Sequence, residues 1–191
     1  DYPSRLEEIL KTIRDENSYP TGTVVEDAIL YFSVRSELPA RSDDLDEVSG
    51  DIELTYSQGT EPFRKKADTK IQHPQQNEII YRDKAGAICR YFNAQECERT
   101  APVNNTKNVL ITVENLGHLP AEKMKEILKE IGALIQRYCG GTIEIHMLGD
   151  RVSEFDLGIT GRTGISDADF KPIPKRLEFH QQQMLTKPAP K

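Results

Sequence analysis

Hydrophobic positions along this chain follow two spacings, and the points where one gives way to the other divide it into elements. Between residues 4 and 17, Leu6, Ile9, Leu10 and Ile13 recur at i, i+3, i+4 and i+7. That is one apolar stripe of an amphipathic helix, opening beside Pro3 and closed by Tyr19-Pro20-Thr21-Gly22. A longer stripe of the same period, Met124, Ile127, Leu128, Ile131, Leu134, Ile135 and Tyr138, predicts a helix over 120–138. Cys139-Gly140-Gly141 stops it, with Cys139 read as a small buried hydrophobe. Elsewhere the period is two. Alternating, β-branched or aromatic runs predict strands near 28–35, 51–56, 78–82, 87–92, 108–114 and 142–148. In the run over 108–114, Val109, Ile111 and Val113 take one face and Leu110, Thr112 and Glu114 the other. This balance predicts an α+β fold, a curved or barrel-like mixed β-sheet with flanking helices.

The connections carry the polar residues. Leu38-Pro39 ends the first predicted strand and begins a loop, Ala40-Arg41-Ser42-Asp43-Asp44, before a helical turn over 44–48 with an acidic start. Residues 57–77 read as a long surface loop or irregular hairpin, and Asp83-Lys84-Ala85-Gly86 as a tight turn with Gly86 at positive φ. The densest polar stretch, Asn93, Gln95, Glu96, Cys97, Glu98, Arg99 and Thr100, lies between two predicted strands, where it is placed to line a site. Thr112 and Glu114 then share the strand face turned towards it. After Gly149 the periodicity fades, leaving a domain over 1–150 and a partly irregular extension over 151–191 with only a weak helical pattern at 176–185.

Composition narrows the chemistry. A chain of 191 residues with 37% hydrophobic content is long enough for one well-filled core, and no apolar run approaches the length of a membrane span. It reads as soluble and cytoplasmic. Asp1 in the first position and the Pro-containing Lys187–Lys191 end read as part of a larger chain. The net charge of −6 weighs against non-specific nucleic-acid binding, yet Arg64, Lys65, Lys66 and Lys70 form a local basic group, as do Lys171, Lys175 and Arg176. These are the candidate contacts to RNA phosphates. His73, His118, His146 and His180 belong to no triad motif, and Cys89, Cys97 and Cys139 have no metal-ligand spacing. With no phosphate-binding glycine loop either, neither metal nor cofactor is expected. Cys97, between Glu96, Glu98 and Arg99, has no clear activation as a nucleophile.

The runs RYFNAQECERT and TKNVLITVENLG, with SELPARSDDLDEVSGDIEL upstream, resemble proteins related to the tRNA-editing domain of the phenylalanyl-tRNA synthetase β subunit, over roughly residues 27–148. The resemblance implies a trans-acting aminoacyl-tRNA deacylase, an ester hydrolase of translation fidelity that uses positioned water and the substrate's own ribose hydroxyl more than a protein nucleophile. That chemistry suits a chain with no triad, because an ester at a tRNA 3′ end is already activated. For that chemistry Asn93, which offers both donor and acceptor, and Thr112 and Glu114, which share a strand face, are expected as catalytic residues, with Arg41, Ser42, Asp43, Asp44, Phe92, Glu96, Cys97, Arg99 and Thr100 as substrate-binding residues. Two departures bear on the substrate. The acid that the synthetase domain places at the position of Thr112 appears here at Glu114, and its histidine before the Asp-Leu-Asp is replaced by Arg41. Glu96, Glu98 and Glu114 together would make an acidic pocket suited to a cationic side chain. The alternatives are a non-catalytic RNA-binding module or a protein-interaction module with the same fold.

Overall fold

Two reciprocal caps open the first two helices. Ser4 Oγ accepts from the Glu7 amide at 3.2 Å while the Ser4 amide donates to the Glu7 carboxylate at 2.7 Å, starting α1 (Arg5–Glu16). Thr23 and Glu26 repeat the arrangement at the start of α2 (Val24–Ser36). The computed structural model describes residues 4–18, 21–117, 119–149 and 152–157, together with the backbone of 176–178.

Helix α2 replaces the strand expected over 28–35. Its buried residues Ile29, Leu30, Phe32 and Ser33 fall at i, i+1, i+3 and i+4, a helical face that the aromatic and β-branched composition of the segment conceals. After the left-handed C-cap at Glu37, the expected loop over 40–44 is instead strand β1 (Ala40–Asp44), buried along its whole length. It pairs antiparallel with β6 (Val109–Val113), setting Arg41 opposite Thr112 and Asp43 opposite Leu110. Strand pairing prevails over poor strand propensity here because the charged side chains find partners inside the protein, as shown below. Beyond it, the Glu47 amide donates to the Asp44 carbonyl at 3.2 Å, a turn in place of the expected helical turn.

The second sheet has six strands in the order β5-β4-β3-β2-β8-β7. These are β2 (Ile52–Tyr56), β3 (Ile79–Asp83), β4 (Gly86–Arg90), β5 (Gln95–Glu96), β7 (Glu154–Asp156) and β8 (Arg176–Glu178). All neighbours are antiparallel except β2 and β8, so the sheet is mixed, but among the described residues the strands form two separate sheets and no closed barrel. Asp83 faces Gly86 across the expected tight turn, and Gly86 has φ of +144°. Between β2 and β3, residues 57–78 form no helix or full strand, as expected, though Phe63 is buried and bridges to Gln72.

Two apolar clusters sit on either side of the β1–β6 pair. One joins α2 to α3 (Ala121–Cys139) through Ile29, Phe32, Val113, Met124, Ile127 and Leu128. The other lies on the six-stranded sheet around Ile52, Phe63, Ile80, Tyr81 and Ile88. Ile111 and Val113 turn to the first cluster and Leu110 to the second, so the alternation read along this strand holds. Tyr138 and Cys139 are exposed, not buried. Residues 142–147 form no strand; Ile143 packs beside Gly132 of α3 as an extended cover. Of the weakly helical segment 176–185, residues 176–178 are the strand β8 and the rest lies outside the described residues.

Candidate functional site

Strand alternation brings the site together. Arg41 and Asp43 of β1, Thr112 of β6 and Glu114 just beyond it point from the two-stranded ladder towards the six-stranded sheet. Glu114 is held in line by its amide, which donates to the Pro39 carbonyl at 3.0 Å. From the other sheet, Tyr81 of β3 donates its hydroxyl to Glu114 Oε1 at 2.7 Å. Asn93 donates its side-chain amide to Glu114 Oε2. Asn93 reaches that position through an elbow in which Tyr91 and Phe92 have φ of 51° and 65°, a left-handed pair that costs energy in residues bearing a Cβ. The Phe92 amide, donating to the Ile79 carbonyl at 2.9 Å, secures the elbow, and the Phe92 ring stacks on Tyr81 at 6.3 Å between centroids.

Arg41 lies at the centre, 1% exposed. Its Nη1 pairs with Asp43, and its guanidinium carbon lies 4.0 Å from the centroid of the Tyr81 ring. Asp43 in turn accepts from Thr100 Oγ1 at 2.8 Å, and Asp44 accepts from Thr106 Oγ1 at 2.5 Å. The two remaining guanidinium nitrogens of Arg41, Nε and Nη2, are buried and have no hydrogen-bond partner. Buried donors with no partner within the protein are uncommon in folded proteins, because an unmet donor is costly to bury.

Burial governs the charges. Desolvation pushes the Glu114 carboxyl up to about 7, against the opposing pull of Asn93, Tyr81 and nearby Arg41. Desolvation also outweighs Arg41 at Asp43, raising that carboxyl above its usual range. Burial works against the charged Arg41 guanidinium, but the Asp43 carboxylate outweighs it and holds the guanidinium proton more firmly than usual. Burial raises the Cys89 thiol far above its usual range, so it is no thiolate nucleophile at neutral pH.

Room for a ligand is small in this conformation. Arg41 and Ser42 line a small cavity of about 10 Å³ between α1, α2 and β1, whose other walls include Arg5, Glu26 and Glu96. Glu96 forms an ion pair with Arg5 of α1. Asn93, Thr112 and Glu114 lie behind Arg41, at most 5% exposed, and do not line that cavity. A second, open groove of about 240 Å³ runs along α1 past Lys65, Lys66 and Gln95.

Other candidate residues go elsewhere. Arg99 binds Asp83 at 2.8 and 3.0 Å and the Glu47 carbonyl at 2.7 Å, bracing the hairpin turn. Cys97 is buried in the sheet cluster, and exposed Glu98 pairs with Arg64 at 3.2 Å, so Glu98 does not join Glu96 and Glu114 in one acidic pocket. Arg64, Lys65, Lys66 and Lys70 are exposed, with Lys66 paired to Glu26 of α2. Lys171 and Lys175 of the second basic group lie outside the described residues. Tyr81 and Arg5 were not legible as site residues in the sequence, since only the packing of distant elements brings them here. No cluster of His, Cys, Asp and Glu suited to a metal occurs among the described residues, and no described helix is long and apolar enough to cross a membrane.

No curated protein matches this chain. A family model does, over residues 3–140, covering α1 through α3 and therefore both walls of the site. By that match the chain belongs to the B3/4 domain family, the domain found in the phenylalanyl-tRNA synthetase β subunit.

Proposed function

We propose that this protein is a trans-acting deacylase that hydrolyses the ester of mischarged aminoacyl-tRNA. The observation that carries the reading is the buried Arg41 with two unsatisfied guanidinium donors beside a cavity, in a domain shared with a tRNA synthetase. Hydrolysis of an ester moves negative charge onto the carbonyl oxygen as water attacks the carbonyl carbon. Arg41 Nε and Nη2 are the donors for that oxyanion, fixed in advance by Asp43 and by the Tyr81 ring. The bond to the ribose oxygen then breaks and that oxygen takes a proton, with water and the vicinal ribose hydroxyl carrying the transfer. Asn93, Thr112 and Glu114 act as positioning residues that hold the wall behind Arg41.

A panel of tRNAs mischarged with different amino acids, incubated with the full chain, tests this. The expected result is release of the amino acid from at least one of them, with R41K losing roughly 100-fold in rate because lysine cannot present two fixed donors. Binding of tRNA without release above the buffer rate from every panel member would overturn the reading. It would favour a non-catalytic RNA-binding module, which the small size of the cavity supports.

A further inference from the structure

The small cavity and the open groove share three lining residues, Arg5, Ile9 and Glu96. The Arg5–Glu96 ion pair therefore stands as a partition, with about 240 Å³ of accessible groove on one side and about 10 Å³ beside Arg41 on the other. We infer that the two spaces are halves of one binding pocket, that the Arg5–Glu96 pair is its gate, and that Arg41 is its floor, taking a neutral carbonyl oxygen.

Three features support this. Helix α1 is lightly anchored, with Ile9 its one buried residue and Leu10 44% exposed, so swinging its first turn outward gives up an ion pair and little apolar contact. The pair is partly wet, Arg5 retaining 30% of its side-chain exposure, which places it at the boundary between protein and solvent. On the inner side, the charge of Arg41 is already balanced by Asp43, and Glu26 and Glu96 stand nearby. A ligand that arrives as a second full anion is disfavoured there, whereas an uncharged ester or amide oxygen satisfies the free donors on binding and takes up charge only as water attacks.

The choice of a carbonyl ligand rests on the deacylase reading; the gate does not. Phenylglyoxal, which labels accessible guanidinium groups, separates the two when applied to the full chain and the label on Arg41 is read by mass spectrometry. Wild-type protein and R5K, which keeps the pair, should leave Arg41 at least tenfold less labelled than R5Q, with all three showing the same thermal midpoint. Equal protection of Arg41 in R5Q overturns the gate whatever the protein does to tRNA. E96Q opens the same pair from its other side and should expose Arg41 equally; protection in E96Q alone would likewise count against the gate. The ligand is tested on R5Q with the alanyl amide of 3′-amino-3′-deoxyadenosine, a non-hydrolysable carbonyl at a ribose. Protection of Arg41 is expected, and unchanged labelling at saturating analogue overturns Arg41 as the floor.

Discussion

Glu114 enters the folded protein as an acid with its carboxyl raised from 4.5 to about 7, chiefly by desolvation. Its folded pKa lies above its unfolded one, so the native state binds the proton more tightly. The stabilisation this gives is complete below about pH 4.5 and is lost as pH rises through about 7. A shift of that size corresponds to on the order of 3 kcal/mol. The thermal midpoint of the wild-type protein should accordingly fall between pH 5 and 8, while that of E114Q, which cannot ionise, stays nearly level, as differential scanning fluorimetry across that range would read. Parallel pH profiles would mean that Glu114 titrates like an exposed acid. The proximity of Thr112 to Glu114 was legible in the sequence, because alternation along a strand is a local property. Their meeting with Tyr81 and Asn93 was not, since a hydrogen bond across 33 or 21 residues depends on how two sheets face each other.

At the scale of elements, periodicity found both amphipathic helices, and four of the six strands it predicted coincide with β2, β3, β4 and β6; it failed where a helix packs against several elements at once. In α2 the apolar residues are too many for a single stripe, and the segment was read by its aromatic and β-branched content as a strand. Thr23 and Glu26 carry the local signal that identifies it, the two ends of a capping box. Replacing Phe32, 3% exposed between α2 and α3, by alanine should cost roughly 3–5 kcal/mol in urea unfolding. Strand β1 eluded the same reading for the opposite reason. Its Arg-Ser-Asp-Asp sequence looks like solvent-facing loop, and only the internal ion pair and the threonine contacts make its burial tolerable. The turn at Gly86 was legible because backbone conformation follows residue type there. A Cβ at Gly86 would overlap the Pro62 carbonyl, which also accepts the Ala87 amide at 3.1 Å. G86A should therefore lower the thermal midpoint by several degrees, an effect of roughly 1–3 kcal/mol from strain and overlap together.

For the whole molecule, a net charge of −6 means that any RNA contact must be local. Lys65 and Lys66 line the groove that leads to the Arg5–Glu96 pair, so phosphates of a 3′ end lying in it would meet them first. K65E/K66E should weaken tRNA binding and reduce the slope of log affinity against log salt by about 1 to 2. An unchanged slope in a salt titration would place the RNA elsewhere. Lys66 already pairs with Glu26, so its share in the slope should be smaller than that of Lys65, and the single variants distinguish them.

The pairing of β2 with β8 joins residues 52 and 177 in neighbouring strands of one sheet. Strand β2 is thus an interior strand only while the distal segment stays beside it; without that segment it becomes an edge with a row of unpaired amides and carbonyls. A chain cut after residue 150 would keep the site residues and both apolar clusters' main members, yet present that open edge to other molecules. Shortened versions made for crystallisation or labelling should then self-associate through β2, and a lysine replacing exposed Tyr56 on that strand is the substitution to restore monodispersity.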